Sequence, residues 1–104
     1  MRIFRDIHNR QIRLTEERQE HIENDHPEMR GQIHKIRNTL LDPYIIIRSR
    51  TDENVELFYK FYQHTPVKAK YLCVVVKNLS NDLFVITAYF TDTIKRGEIL
   101  WEKK

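Results

Sequence analysis

From Tyr44 onward the chain alternates apolar and polar residues with a period of two, and it does so in four runs, "YIIIRSR", "NVELFYKFYQ", "KYLCVVVKNL" and "LFVITAYFTD". Side chains alternate across a strand, so this period commits each run to a sheet. The polar breaks "TDEN", "HTPVKA" and "SND" between them are short enough to join antiparallel neighbours. Before Tyr44 the period is helical. Thr15 offers an N-cap, with Glu16 and Glu17 in the first turn, and predicts a helix to about Asn24 that Pro27 ends. Ile33, Ile36, Leu40 and Leu41 predict a second helix, stopped at Asp42 and Pro43 because the residue before proline avoids the α region. This order predicts an α+β fold, two N-terminal helices packed on a four-stranded antiparallel sheet.

A chain of 104 residues has room for one domain, residues 1–104. Residues 1–14 read as an N-terminal extension or a short hairpin turned at "HNRQ", 15–42 as the helical part, 44–93 as the sheet, and 94–104 as a tail. Within that tail "IKRGEILWEKK" adds an edge strand, with Gly97 at a bend and Trp101 at the margin. The longest apolar runs, "YIII" and "LCVVV", fall far short of the roughly 20 residues of a membrane span, and no apolar segment follows the basic N-terminus. The chain therefore reads as cytoplasmic, with no membrane partner. Cys73 is the single cysteine; it supports no disulfide and reads as a small buried hydrophobe.

Sorting the strand residues by parity gives two surfaces. Ile45, Ile47, Val55, Leu57, Tyr59, Phe61, Leu72, Val74, Val76, Phe84, Ile86, Ala88 and Phe90 form an apolar face expected to carry the helices. The opposite face collects Arg48, Arg50, Lys60, Tyr62, Tyr71, Lys77 and a hydroxyl ridge of Thr87, Tyr89 and Thr91. A three-residue loop, Ser80 to Asp82, would set Val75 opposite Thr87 and Lys77 opposite Val85. Such a face has two readings. It is an ordinary solvated sheet surface, or it holds single-stranded RNA, with cations on phosphate, rings on unstacked bases and hydroxyls on phosphate oxygens.

His21 and His26 do not form an HExxH motif and have no third ligand at a recognisable spacing, so neither a metal nor a cofactor is expected. A histidine changing charge near neutrality can move protons in RNA cleavage without a metal, with Arg48, Arg50 and Lys77 supplying charge and Thr87 and Tyr89 positioning the phosphate. With only two glycines there is no phosphate-binding glycine loop, and no GxSxG motif occurs.

"TEERQEHIENDHPEM", the helix ending in "DP", "ELFYKFY", "KYLCVVVK", "FVITAYFTD" and "IKRGEILW" together resemble the small phage-associated nucleases of the BECR class, named for barnase, EndoU, colicin nucleases and RelE. The likeness spans about residues 14–104. It implies a toxin-like, metal-independent endoribonuclease with RNA as substrate and a small antitoxin or immunity protein as partner. Under it His21 matches the helix histidine, Thr87 and Tyr89 the strand polar positions and Lys77 a basic strand position, with His26 and Arg50 as further matches. Arg48, Lys60, Tyr62 and Thr91 would contact RNA. The alternatives are a non-catalytic RNA-binding module on the same fold and a protein-interaction domain.

Overall fold

The computed structural model describes residues 1–104. Strands β1 (Arg2–Arg5) and β2 (Gln11–Leu14) lead into helix α1 (Glu16–Asp25), a 3₁₀ turn (Pro27–Met29) and helix α2 (Ile33–Leu41). Strands β3 (Ile45–Arg48), β4 (Val55–Tyr62), β5 (Lys70–Leu79), β6 (Asp82–Thr91) and β7 (Glu98–Glu102) follow. All seven strands form one sheet in the order β1-β2-β6-β5-β4-β3-β7. The expected four-stranded antiparallel sheet is thereby corrected to a seven-stranded mixed one. The extra strands are the β1–β2 hairpin and β7, and β2 meets β6 in parallel through Ile12–Leu83 and Arg13–Phe84. A hairpin at the N-terminus and an edge strand in the tail are legible locally, but their joining to one sheet is not, because the parallel pairing and the β3–β7 pairing link distant segments.

The local helix signals work as chemistry says they should. Thr15 Oγ1 accepts the Arg18 N–H at 3.1 Å, which satisfies one of the four donors a helix start leaves free. In α2 the buried residues are Ile36, Thr39 and Leu40, whereas Leu41, expected on the apolar face, is 42 % exposed. Thr39 can be buried because its hydroxyl donates to the Lys35 carbonyl at 2.8 Å.

Both faces of the sheet are covered, which overturns the picture of one apolar and one open face. On the helix side Ile22, Met29, Ile36 and Leu40 pack on Ile46, Phe58, Leu72, Val74, Val76, Leu83, Val85 and Ala88. On the other side Ile45, Ile47, Val55, Leu57, Tyr59 and Cys73 form a second core with Val75, Ile86, Tyr89 and Ile94. The parity assignment holds for β5 and for Ala88 of β6 but is inverted in β3 and β4. "IIIR" carries isoleucine on both parities, and in "VELFYKFY" Phe58 and Tyr62 interrupt the charged parity, so alternation there does not say which set faces the helices. Phe61, placed in the core by parity, is instead 48 % exposed.

The β5–β6 turn also differs. Ser80 and Asn81 alone form it, with φ of 51° and 70°, the left-handed pair that a two-residue type I′ hairpin needs. A register shift between Val75 and Val76 leaves Ile86 as an extra residue in β6. The two departures cancel at Val75, which faces Thr87 as expected, but Lys77 faces Phe84 and not Val85.

Residues 92–97 connect β6 to β7 as a strap. Both strands run in the same direction at separate places in the sheet, so the chain must cross back over the second face. Ile94 packs on the second core, and the Lys95 N–H donates to Tyr59 Oη at 3.2 Å. Gly97 ends the strap where a Cβ would lie 2.3 Å from the Arg48 carbonyl oxygen, so only glycine fits without a shift.

Candidate functional site

Strand β2 pairs with β6 only at Leu83 and Phe84, so beyond that point this edge of β6 has no strand partner. Helix α1 and the 3₁₀ turn lie against it. Helix α1 is ten residues, about 15 Å long, and its start and end mark two ends of one seam.

At the start of the seam is a cleft of about 250 Å³ lined by Arg13, Thr15, Arg18, Phe84 and Val85. The Arg13 guanidinium sits 5.6 Å from the Phe84 ring centroid and is held by Asp82 at 3.0 Å. The Arg18 side chain is exposed there.

At the other end is His26. Pro27 denies it a helical backbone, and its φ of −132° and ψ of 80° leave α1 while its N–H still donates to the Ile22 carbonyl at 2.8 Å. The ring packs on Tyr89 with centroids 5.6 Å apart and planes tilted by 33°. Glu28 Oε1 lies 3.7 Å from His26 Nδ1, an ion-pair distance when the imidazole is charged, and the His26 side chain keeps 33 % of its exposure. Tyr89 itself is anchored from below. Tyr59, Cys73 and Tyr89 stand opposite one another across β4, β5 and β6, and burial, with Cys73 beside it, drives the Tyr89 phenol well above its ordinary pKa. Burial likewise pushes the Cys73 thiol up to about 11. Tyr89 is thus a neutral, fixed wall for the imidazole.

The expected site residues divide. His26 and Tyr89 meet, and Thr87, half-buried, lies two residues along the same face of β6. His21 does not join them; its side chain is 59 % exposed, 3.8 Å from Glu17, in a small groove lined by Glu17, Glu20 and Asn24. Lys77 is four residues along β5 from Cys73, about 13 Å at strand rise, and is ion-paired with Asp52. Its ammonium, with the Asn54 N–H, holds the Asp52 carboxyl below the usual range. Thr91 spends its hydroxyl on the turn, donating to the Thr93 carbonyl at 3.2 Å.

The cationic face expected for RNA is also taken apart. Arg48 is held by Glu98 at 2.9 Å and by the Glu53 carbonyl at 2.9 Å. Lys60 lies on the helix side and donates to the Asp42 carbonyl and carboxylate, each at 2.9 Å, closing the end of α2 where the dipole favours a cation. Tyr62 also faces the helices, donating to the Lys35 carbonyl at 3.0 Å beside Thr39. Of the RNA-contact candidates, Arg50 stays exposed and without a carboxylate partner.

Glu28 was passed over in the sequence although "HPE" carries it: a proline-terminated helix turns the preceding histidine and the second residue after it toward each other. Arg18 and Phe84 gave no signal, because their cleft is made by a helix start meeting a parallel strand pair. No three His, Cys, Asp or Glu side chains converge as a metal site. No helix is long and apolar enough to cross a membrane. Comparison with protein-family models, curated proteins and solved structures gives no match to this chain.

Proposed function

We propose that the chain is a metal-independent endoribonuclease whose reactive group is His26, a toxin-like activity that a small antitoxin protein would restrain. The observation that carries this reading is the half-exposed imidazole fixed between the Tyr89 ring and the Glu28 carboxylate on the free edge of β6. A part-exposed imidazole packed on a ring and near a carboxylate can exchange a proton with a ligand while keeping its place, which a proton-transfer histidine needs. In the reaction His26 takes the ribose 2′-OH proton, the 2′ oxygen attacks phosphorus, and the bond to the 5′ oxygen breaks as that oxygen takes a proton from water, whose hydroxide is then neutralised by the proton on His26. The products are a 2′,3′-cyclic phosphate and a 5′-hydroxyl. Arg18, exposed on the same helix, supplies charge for the phosphate backbone, and Tyr89 acts as a positioning residue. The sequence likeness of "HIENDHPEM" and "ITAYFTD" to BECR nucleases supports the activity.

The test is incubation of purified protein with mixed RNA in EDTA. Cleavage yielding cyclic phosphate ends, reduced about 10²- to 10⁴-fold in His26→Ala and little changed in His21→Ala, is the expected result. Intact RNA at every protein concentration, or His21→Ala as damaging as His26→Ala, would overturn the assignment.

A further inference from the structure

Beyond the row where the strap crosses, the second face of the sheet ends in three rings that nothing covers. Phe61 is 48 % exposed and Tyr44 43 % exposed, with Tyr71 half-buried between them. Phe61 and Tyr71 meet edge-on with centroids 5.3 Å apart, and Tyr44 and Tyr71 lie 6.4 Å apart with planes tilted by 34°. Tyr71 faces Phe61 on β4 and Thr91 on β6, so the rings form the outermost row, next to the row of Tyr59, Cys73 and Tyr89. The strap is spent on the inner row, where Lys95 binds Tyr59.

The surroundings are cationic. The Lys103 N–H donates to the Tyr44 carbonyl at 2.9 Å, so the C-terminal residues Lys103 and Lys104 run past Tyr44, with the Lys103 ammonium on Asp42. Lys95 and Arg96 follow Ile94 on the strap, and Ile94 packs on the core that Tyr71 joins. The nearby carboxylates Asp42 and Asp92 are engaged by Lys103, Lys60 and Lys70, and Glu102, opposite Ile45, is exposed with no ion pair; against it stand Lys95, Arg96 and Lys104, which have no carboxylate within ion-pair distance. Exposed rings among unpaired cations are complementary to a chain that offers flat bases and phosphates together, and less so to an apolar protein knob.

We infer that Tyr44, Phe61 and Tyr71 form a stacking platform for unpaired bases of single-stranded RNA, with Lys95, Arg96 and Lys104 at the phosphates. This deepens the ribonuclease reading and rests on it: RNA bound across the outer row lies one pleat from Tyr89 and its partner His26, so the substrate is a single strand or a loop. A duplex keeps its bases inside and offers the rings nothing to stack on.

The test measures binding apart from cleavage, using a fluorescein-labelled 2′-O-methyl 12-mer that cannot cyclise, followed by anisotropy at low salt. Wild-type protein should bind the single strand at least 10-fold more tightly than the matched duplex. Phe61→Leu keeps the apolar bulk and removes the ring, and should weaken single-strand binding about 5- to 100-fold at unchanged melting temperature. Lys95→Ala with Arg96→Ala should flatten the dependence of affinity on salt. Equal affinity of wild type and Phe61→Leu overturns the platform, even where wild type cleaves natural RNA and the catalytic reading stands. Ring-dependent binding without cleavage keeps the platform and removes the catalysis. No binding of the 12-mer, with Phe61→Leu altering self-association in sedimentation, would mark the rings as a protein contact and overturn the inference.

Discussion

Arg10 is the best place to test whether charge holds the N-terminal hairpin to the rest of the sheet. Its guanidinium donates to Asp6 Oδ2 at 2.7 Å and to both oxygens of Glu56 at 3.2 and 2.7 Å. The Asp6 side chain is wholly buried and also accepts the His8 and Arg10 N–H groups, at 3.0 and 2.8 Å, which builds the hairpin tip. Arg10→Met keeps the alkyl stem and removes the charge, leaving two carboxylates without a cation. Breaking a buried pair costs about 3–5 kcal/mol, but the Arg10 side chain retains 27 % exposure and water screens part of the loss, so about 2–4 kcal/mol is expected. For a domain of this size that corresponds to a fall in Tm of roughly 10–20 °C, read by thermal unfolding beside a urea titration with unchanged slope. The acid limb carries the sign. Burial opposes ionisation of Glu56, but the Arg10 hydrogen bond and charge outweigh it and hold its carboxyl below the usual range. A depressed carboxyl contributes fully above its unfolded value of about 4.3 and loses that contribution as pH falls through the folded value. The gap between wild type and Arg10→Met should therefore be widest near neutrality and close below about pH 4. A Tm within about 2 °C of wild type, or a gap independent of pH, would show the network to be decoration.

Two further predictions concern the strap and the second core. Gly97→Ala drives a methyl group against the Arg48 carbonyl and the Ile47 side chain, 2.3 and 2.7 Å from the ideal Cβ, and should cost about 1–3 kcal/mol in chemical denaturation; no loss would mean the strap shifts freely. Cys73 is fully buried, and burial raises its thiol to about 11, so iodoacetamide at pH 8 should label it only in denaturant. Rapid labelling of the native protein, read by mass, would mean the second core opens.

What could be read from the sequence was whatever a single element decides. Thr15 as a cap, Pro27 as a stop and the four long strand runs depend on neighbouring residues, and they are found where chemistry puts them. What could not be read depends on coverage from elsewhere. "YIII" is apolar on both sides because the strap covers one face of β3 through Ile94 while the helix-side core covers the other, and no local pattern records a strap. The same blindness misplaced two of the expected surface groups. Lys60 and Tyr62 look like surface groups by parity, yet they serve the end of α2 and the Lys35 carbonyl, contacts that exist only once β4 is turned over. His26 gains on His21 for the converse reason: a proline-broken backbone, not helix periodicity, sets where its ring points.

A sheet covered over most of both faces leaves little open face for a ligand. Contact with a large ligand is left to places where pairing or coverage stops. Two such places adjoin here: the edge of β6 beyond Phe84, where α1 and the 3₁₀ turn bring His26 to Tyr89, and the outer row beyond the strap, where Tyr71 and Phe61 emerge. They share strands β5 and β6 and stand one row apart, because Cys73 and Tyr71 alternate on one face of β5. Cations follow the same division. Arg48, Lys60, Lys70 and Lys77, on β3, β4 and β5, each hold a carboxylate and stabilise the fold, while Arg18, Arg50, Lys95 and Arg96, on α1 and in connecting segments, have none. A polyanion would be met by the second group, and neutralising the first should change melting temperature before it changes RNA affinity.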